Sequence, residues 1–532
     1  MEGSALMKRC LRSVCCLLGA GFVSLILSTP RARAAGVTVI THGLNGNVDG
    51  WITGMANAIP NYDAFPGTDF AGYTISFVPD GGGGYLVTAE RTSGVPPAAS
   101  ASGEIIVKLD WRQLADGNSY DTFQVAEAIA PALLSTNFIP ELGGRALAEF
   151  PLHLIGHSRG GSLICQLSRL LGEQGVWVDH LTTLDPHPLN DPEFPLDALL
   201  FTDVDAPALT YENVLFHDNY WQNDFLIRGK AVPGAFVREL TNLGGGYSLA
   251  HSDVHLWYHG TIDWQTPASD TEASIGGSER NAWWTAYEAG GTNAGFLYSR
   301  LGAGNRLSPD QPAGVNEIVD GFNQRWDLGA GTADNRVALE SNNGDWASLI
   351  RVLAGTNAAT HGRTAPVMIC YQWARPVTEH CTARVRLDPD LNPLNGNELW
   401  IEETELPGTG DSSVGYTTLF LELNATNAPA GEYSIGVSLT ANGRTRYLYA
   451  AERLTVVPPA MPPVLDVVRC APSELHIGVS GAPGQTLVLE HSADFMTWTP
   501  LATNTLQDVR WVYTNSAPLG VGAGFYRAQN IH

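Results

Sequence analysis

The sequence predicts an α/β domain built on a mainly parallel sheet, followed by two all-β domains. Three observations carry this reading. An apolar run, Pro151-Leu152-His153-Leu154-Ile155, passes through Gly156-His157-Ser158-Arg159-Gly160 into Leu163, Ile164, Leu167, Leu170 and Leu171 at helical spacing. A second apolar run, Val178 to Leu184, follows with room for one helix and one strand between it and Ser158. After about residue 305, short strand-like pieces with turn punctuation take over.

Residues 1–34 carry Lys8, Arg9 and Arg12, then an apolar run from Val14 to Leu27, then Ala32-Arg33-Ala34. That is the pattern of a signal peptide cleaved after Ala34, so the protein is expected to be secreted or periplasmic. Cys15 and Cys16 lack a lipobox-like setting. The chain has a formal charge of −24, and removal of residues 1–34, which carry a net of +4, leaves about −28. Such acidity argues against nucleic-acid partners and anionic membrane surfaces. No other stretch is long and apolar enough to span a bilayer.

The catalytic domain is expected over 35–305. Val37-Thr38-Val39-Ile40-Thr41 reads as a buried strand running into His42-Gly43-Leu44-Asn45-Gly46. The strand, tight turn and helix around Ser158 form a nucleophile elbow, in which flanking glycines relieve crowding and the serine hydroxyl is lifted clear of the sheet. A serine nucleophile needs a base, an acid and an oxyanion hole. The expected donors are the N–H groups of Leu44 and Arg159. Asp185 follows the strand Val178 to Leu184, at the sheet edge where open α/β sheets place active groups. Asp218 follows another strand pattern, Val214-Leu215-Phe216. Three histidines then crowd one stretch, His251, His255 and His259. His251 precedes Ser252 and Asp253, good N-caps for a helix through Trp257 and Tyr258, whereas His255 would sit one turn inside it. The order Ser, Asp, His is that of α/β-hydrolases. His157 reads as elbow filling, and His187 and His217 lack the spacing of a zinc site. No metal and no cofactor is expected.

Together these pieces, from Val37 to Ile262, resemble the pancreatic-lipase type of α/β-hydrolase in a bacterial version. The likeness is carried by G-H-S-x-G, the Thr41-His42-Gly43-Leu44 loop, the strand Ile105 to Trp111, the Thr183-Leu184-Asp185-Pro186 element and the His251 to Ile262 segment. It implies an α/β-hydrolase fold with Ser158 as nucleophile, Asp185 as acid and His251 as base, with Leu44 and Arg159 as oxyanion donors. The L-D-P element favours Asp185 over Asp218. The resemblance covers less than half the chain. Arg159 departs from the usual apolar residue, little sequence precedes the first strand, and no cysteine pair brackets a lid. The family's lid position corresponds here to Tyr220–Ala250, which carries Phe225, Leu226, Ile227, Val232, Phe236, Val237 and Leu240. The stretch from Pro60 to Gly103 is a second insertion that could border the pocket.

Spaced strand patterns over 306–457 suggest an immunoglobulin-like β-sandwich. Pro458-Pro459-Ala460-Met461-Pro462-Pro463 reads as a stiff linker, and 464–532 as a small β-module. Cys370 and Cys381 are close enough in sequence to pair in an exported domain; Cys165 reads as buried and Cys470 has no obvious partner. The aspartates and asparagines of 388–397 read as a solvated turn. The whole predicts a serine ester hydrolase, a lipase or carboxylesterase, acting on an ester or lipid. The alternatives are a phospholipase, or a polyester depolymerase whose β-domains contact polymer or surface. An alternative of another class is a non-catalytic surface-binding protein on the same scaffold. Because every candidate residue precedes Leu307, a chain ended there is expected to keep soluble-ester activity.

Overall fold

The computed structural model describes the chain from residue 36 onward, apart from 62–68, 101, 225–226, 241–242, 263–272, 274–282, 284–294, 299–335, 411–413, 459–460, 472–473, 483, 516–523 and 532. The signal peptide expected at 1–34, and Phe225 and Leu226 of the expected lid, lie outside the described residues.

A mixed sheet of eight strands dominates the first part of the chain. Its strands are β1 (Val37–Thr41), β2 (Phe70–Pro79), β3 (Tyr85–Gly94), β4 (Glu104–Asp110), β5 (Leu152–His157), β6 (Val178–Leu184), β7 (Val214–Trp221) and β8 (Phe236–Glu239), in the order β3-β2-β4-β1-β5-β6-β7-β8. Only β2 and β3 pair antiparallel; the other neighbours are parallel. β1, β5 and β6 are buried along their whole length, and polar residues on them find partners inside, as Thr41 Oγ1 does with the Leu109 carbonyl (3.0 Å) and His153 Nε2 with Thr182 Oγ1 (2.9 Å). Among the described residues four α-helices accompany the sheet: α1 (Trp51–Ala58), α2 (Thr122–Leu134), α3 (Arg159–Glu173) and α4 (Ala250–Ile262). Val125, Ile129, Leu163 and Leu167 of α2 and α3 share one core with Val39, Val107 and Leu154. Ile52 and Met55 of α1, and Val254 and Tyr258 of α4, share the other with Ile40, Ile106 and Ile155. Registers set Thr41 beside Gly156, and Leu184 beside both His157 and Tyr220. The carboxyl ends of β1, β5, β6 and β7 therefore open onto one place, the usual location of a site in such a sheet.

From Ser348 onward the described strands pair antiparallel, except β10 (Ala358–Thr360) with β16 (Arg444–Val457), which is parallel. β9 (Ser348–Ala354), β10 (Ala358–Thr360), β11 (Thr364–Gln372), β12 (His380–Asp388), β13 (Leu399–Pro407), β14 (Gly415–Glu422), β15 (Gly431–Ala441) and β16 (Arg444–Val457) form sheets ordered β10-β16-β15-β12-β13 and β14-β11-β9. They share one core, in which Val367, Ile369 and Leu421 meet Val385, Val437 and Leu448. β17 (Val464–Ala471), β18 (Glu474–Ser480), β19 (Thr486–Ser492), β20 (Thr499–Thr505), β21 (Arg510–Asn515) and β22 (Phe525–Asn530) make two three-stranded sheets around Ile477, Val479, Leu487 and Leu489.

Several expectations are corrected. Strands make up 42% of the structure and helices 17%. A chain so rich in strand, with mixed sheets and few helices, departs from an α/β-hydrolase of the pancreatic-lipase type, and that resemblance is not upheld. Within Tyr220–Ala250, Val232 and Leu240 are buried in the cores and β8 extends the sheet, so these parts are packed and not a lid, whereas Ile227 is exposed and lines the cavity of the candidate site. The stretch from Pro60 to Gly103 supplies β2 and β3 at the sheet's outer end. Cys370 and Cys381 are free and buried, on strands of different sheets.

The strands of β9–β16 pack against the large sheet, whereas β17–β22 have a core of their own. Residues Ala32–His532 form one compact unit. Trp346 and Tyr447 belong to one core of the large sheet, and Ile350 and Cys370 to the other. Arg446, buried, donates to the carbonyls of Ala148, Phe150 (3.0 Å) and Trp177 (2.9 Å). Trp177 Nε1 donates to Gln372 Oε1 at 2.6 Å, and Ser348 Oγ to the Gly175 carbonyl at 2.9 Å. These shared cores remove the basis for expecting an independent unit ending near Leu307.

Candidate active site

The site begins with the turn that joins β5 to α3. Ser158 has φ 59° and ψ −127°, a strained conformation for a residue with a side chain. The strain is held by its neighbours: Ser158 N–H donates to the Leu184 carbonyl at 3.0 Å, and its own carbonyl accepts from Gly161 and His187. The glycines around it are steric requirements. A Cβ on Gly156 would sit 2.2 Å from the Gly160 carbonyl oxygen, and one on Gly160 would sit 2.4 Å from that of His42. Gly43 is pressed against the serine itself; a Cβ there would lie 2.5 Å from Ser158 Cβ.

His251 Nδ1–H donates to Asp185 Oδ2 at 2.6 Å. Asp185 follows β6, as expected, in a left-handed conformation at φ 45°. Its carboxylate is also held by Gln222, whose N–H reaches Oδ1 at 2.8 Å and whose Nε2 reaches Oδ2 at 2.7 Å. Behind the base, His157 Nε2–H donates to the His251 carbonyl at 2.8 Å. Burial pushes Asp185 up to about 7 and both His251 and His157 down to about 3. Both effects have one cause: a charge is disfavoured away from water. The imidazole of His251 is thus neutral near pH 7, with its proton on Nδ1 and Nε2 open. The helix carrying it starts earlier than expected. α4 opens at Ala250, and Asp253 accepts from Tyr247 N–H at 2.7 Å instead of capping the helix.

The two contested residues are placed differently. Asp218 is buried inside the sheet and accepts from Thr182 Oγ1 (2.6 Å), His180 Nε2 (2.7 Å) and the Tyr220 hydroxyl (3.0 Å). It does not meet His251. His255 lines the cavity, but its ring is stacked on Trp51 at 4.2 Å and meets His157 edge-on at 4.8 Å.

Ser158, His251, Leu44 and Arg159 line one cavity of about 520 Å³. Its walls are largely apolar, including Leu44, Trp51, Leu189, Leu200, Phe201 and Ile227. Among the described residues, the N–H groups of Leu44 and Arg159 make no hydrogen bond, whereas those of Asn45 and Gly46 are taken by the Ala115 and Gly43 carbonyls. Two free N–H groups beside a serine can stabilise an oxyanion. Sequence reasoning missed Gln222, although it follows β7 at the same sheet edge as Asp185. It also missed the loop after His187, whose leucines rim the cavity. Among the described residues no group of His, Cys, Asp and Glu could hold a metal ion. The 388–397 segment is a turn in which Asp388 Oδ1 accepts the N–H groups of Asp390 and Leu391.

No protein-family profile and no curated protein matches the chain. Among solved structures, the C-terminal domain of wzt is 12% identical over 21% of this chain and 73% of its own, with a TM-score of 0.16. Red sea bream transglutaminase is 12% identical over 41% of this chain and 32% of its own, also with a TM-score of 0.16. Likeness at that level carries no argument. The site stands on its own geometry.

Proposed function

We propose that this protein is a serine hydrolase of carboxylic esters, a lipase or carboxylesterase. Ser158 attacks the ester carbonyl. His251 takes the serine proton at Nε2 and returns it to the departing alcohol, and Asp185 holds the Nδ1–H through both steps. The N–H groups of Leu44 and Arg159 stabilise the oxyanion. Water then repeats the sequence on the acyl-enzyme. One observation carries the reading. A neutral histidine, hydrogen-bonded to a buried carboxylate at 2.6 Å, shares a cavity with a serine on a strained elbow. The apolar walls suit an uncharged acyl group. Leu196, Leu199 and Leu200, at 73, 79 and 72% exposed, stand on the loop that rims this cavity. They favour, as a second reading, an ester presented at a surface, in a phospholipid layer or a polyester, with the β-domains in contact with it.

Export and an immunoglobulin-like sandwich over 306–457 belong to the same proposal. Among the described residues no helix is long and apolar enough to cross a membrane. The test is hydrolysis of p-nitrophenyl butyrate by the wild type and by Ser158→Ala. The variant should lose roughly 10⁴ or more in kcat while remaining folded. Near-normal turnover by the variant refutes the proposal, and an inert wild type favours the non-catalytic binding protein.

A further inference from the structure

Arg159 supplies more than its N–H. Its side chain is fully buried directly below the elbow. Nε and Nη2 grip the two oxygens of Asp205, each at 2.7 Å, and Nη2 also reaches the Tyr120 carbonyl (2.9 Å) and Asp203 (3.2 Å). The guanidinium lies 5.2 Å from the centre of the Trp111 ring. Trp111 in turn stacks on His42 at 5.5 Å, donates Nε1–H to the His42 carbonyl at 3.0 Å and donates its own N–H to His42 Nε2 at 3.2 Å. His42 begins the loop that carries the Leu44 N–H. One side chain therefore touches the supports of both oxyanion donors. It also ties down the cavity wall, because Asp205 accepts the Leu189 N–H at 3.0 Å.

We propose that the Arg159–Asp205 pair is a positioning clamp that sets the spacing of the Leu44 and Arg159 N–H groups. This rests on the hydrolase reading above. A buried ion pair is weak evidence for stability alone, since an apolar or neutral replacement is often tolerated. A planar, two-pronged grip does fix geometry, which a lysine cannot reproduce. An oxyanion hole depends on such geometry: a displacement of about 1 Å can cost roughly 100-fold in rate. The backbone N–H of residue 159 survives every substitution of its side chain, so a loss on substitution reports position and not deletion of a donor.

The experiment uses the full chain as Arg159→Met/Asp205→Asn, which removes both buried charges together, with Arg159→Lys beside it. Kinetics on p-nitrophenyl butyrate, inhibition by butylboronic acid and near-ultraviolet circular dichroism are measured. Butylboronic acid forms a tetrahedral adduct on the serine and so samples the oxyanion hole. The clamp predicts a folded double variant with KM within about threefold of wild type. Its kcat and its boronate affinity both fall by about 100-fold, and Arg159→Lys recovers only part of each. A folded double variant whose kcat and boronate affinity stay within about threefold overturns the clamp, as does a kcat loss without the matching loss of boronate affinity. Should the double variant not fold, Trp111→Phe leaves an aromatic ring in place but removes the Nε1–H bond to His42; the same paired loss is expected and its absence overturns the clamp. A wild type inert to both ester and boronate overturns the hydrolase reading and the clamp with it. An active wild type with unaffected variants overturns the clamp alone.

Discussion

Replacing Asp185 by Asn tests the role of the acid with almost no change of shape. Three donors converge on this carboxylate: His251 Nδ1–H at 2.6 Å, Gln222 N–H at 2.8 Å and Gln222 Nε2 at 2.7 Å. An amide offers one oxygen. Facing that oxygen toward the Gln222 main chain turns its NH₂ toward His251, donor against donor. The imidazole relieves this by moving its proton to Nε2, the atom that must accept from Ser158. The expected loss in kcat/KM is about 10⁴, or roughly 5 kcal/mol of transition-state stabilisation. Asp218→Asn is the matched control. It disturbs a buried network of Thr182, His180 and Tyr220, so its cost falls on stability, roughly 1–3 kcal/mol, with less than about tenfold on rate. The assay is p-nitrophenyl butyrate hydrolysis, with each variant's melt recorded in parallel. Asp185→Asn within tenfold of wild type, or the opposite ranking of the two aspartates, refutes the reasoning.

His251→Ala should abolish turnover, whereas His255→Ala, which removes a ring stacked on Trp51, should lower stability by roughly 1–3 kcal/mol and leave measurable kcat. Since Asp185 is pushed up to about 7 and His251 down to about 3, kcat/KM should rise with pH along one limb centred near 7 as the carboxylate ionises; a flat profile from pH 5 to 9 contradicts this. A chain ended near Leu307 loses Trp346, Tyr447 and Arg446, so it should melt well below the full chain in a differential scan. Arg446→Met alone should cost roughly 3 kcal/mol, because it leaves three carbonyls without their donor.

The parts of the site fixed by short-range geometry were readable from the sequence. Gly156 and Gly160 had to be glycines for the elbow to close, and the runs of β1, β5 and β6 announced buried strands. Asp185 was legible because it directly follows an apolar run. What stayed hidden depends on distant pairing. Nothing local links Arg159 to Asp205, or Arg446 to the carbonyls of Ala148 and Phe150. Proximity in sequence misled at Cys370 and Cys381, since a few residues are enough for the chain to cross from one sheet to another. Between Tyr220 and Ala250 the apolar residues divide: Val232 and Leu240 are core, Ile227 lines the cavity, and further exposed leucines sit at 196–200. The family likeness rested on five short motifs between Thr41 and Ile262, and such motifs do not register that strands outweigh helices 42% to 17%.

The most direct measurement is covalent labelling of the full-length protein with a fluorophosphonate, followed by peptide mass spectrometry. A fluorophosphonate reacts with a serine only when a base and an oxyanion hole activate it. One modified residue is expected, Ser158, at full occupancy, and no label in Ser158→Ala or His251→Ala. An unlabelled wild type, or a label on any other serine, contradicts it.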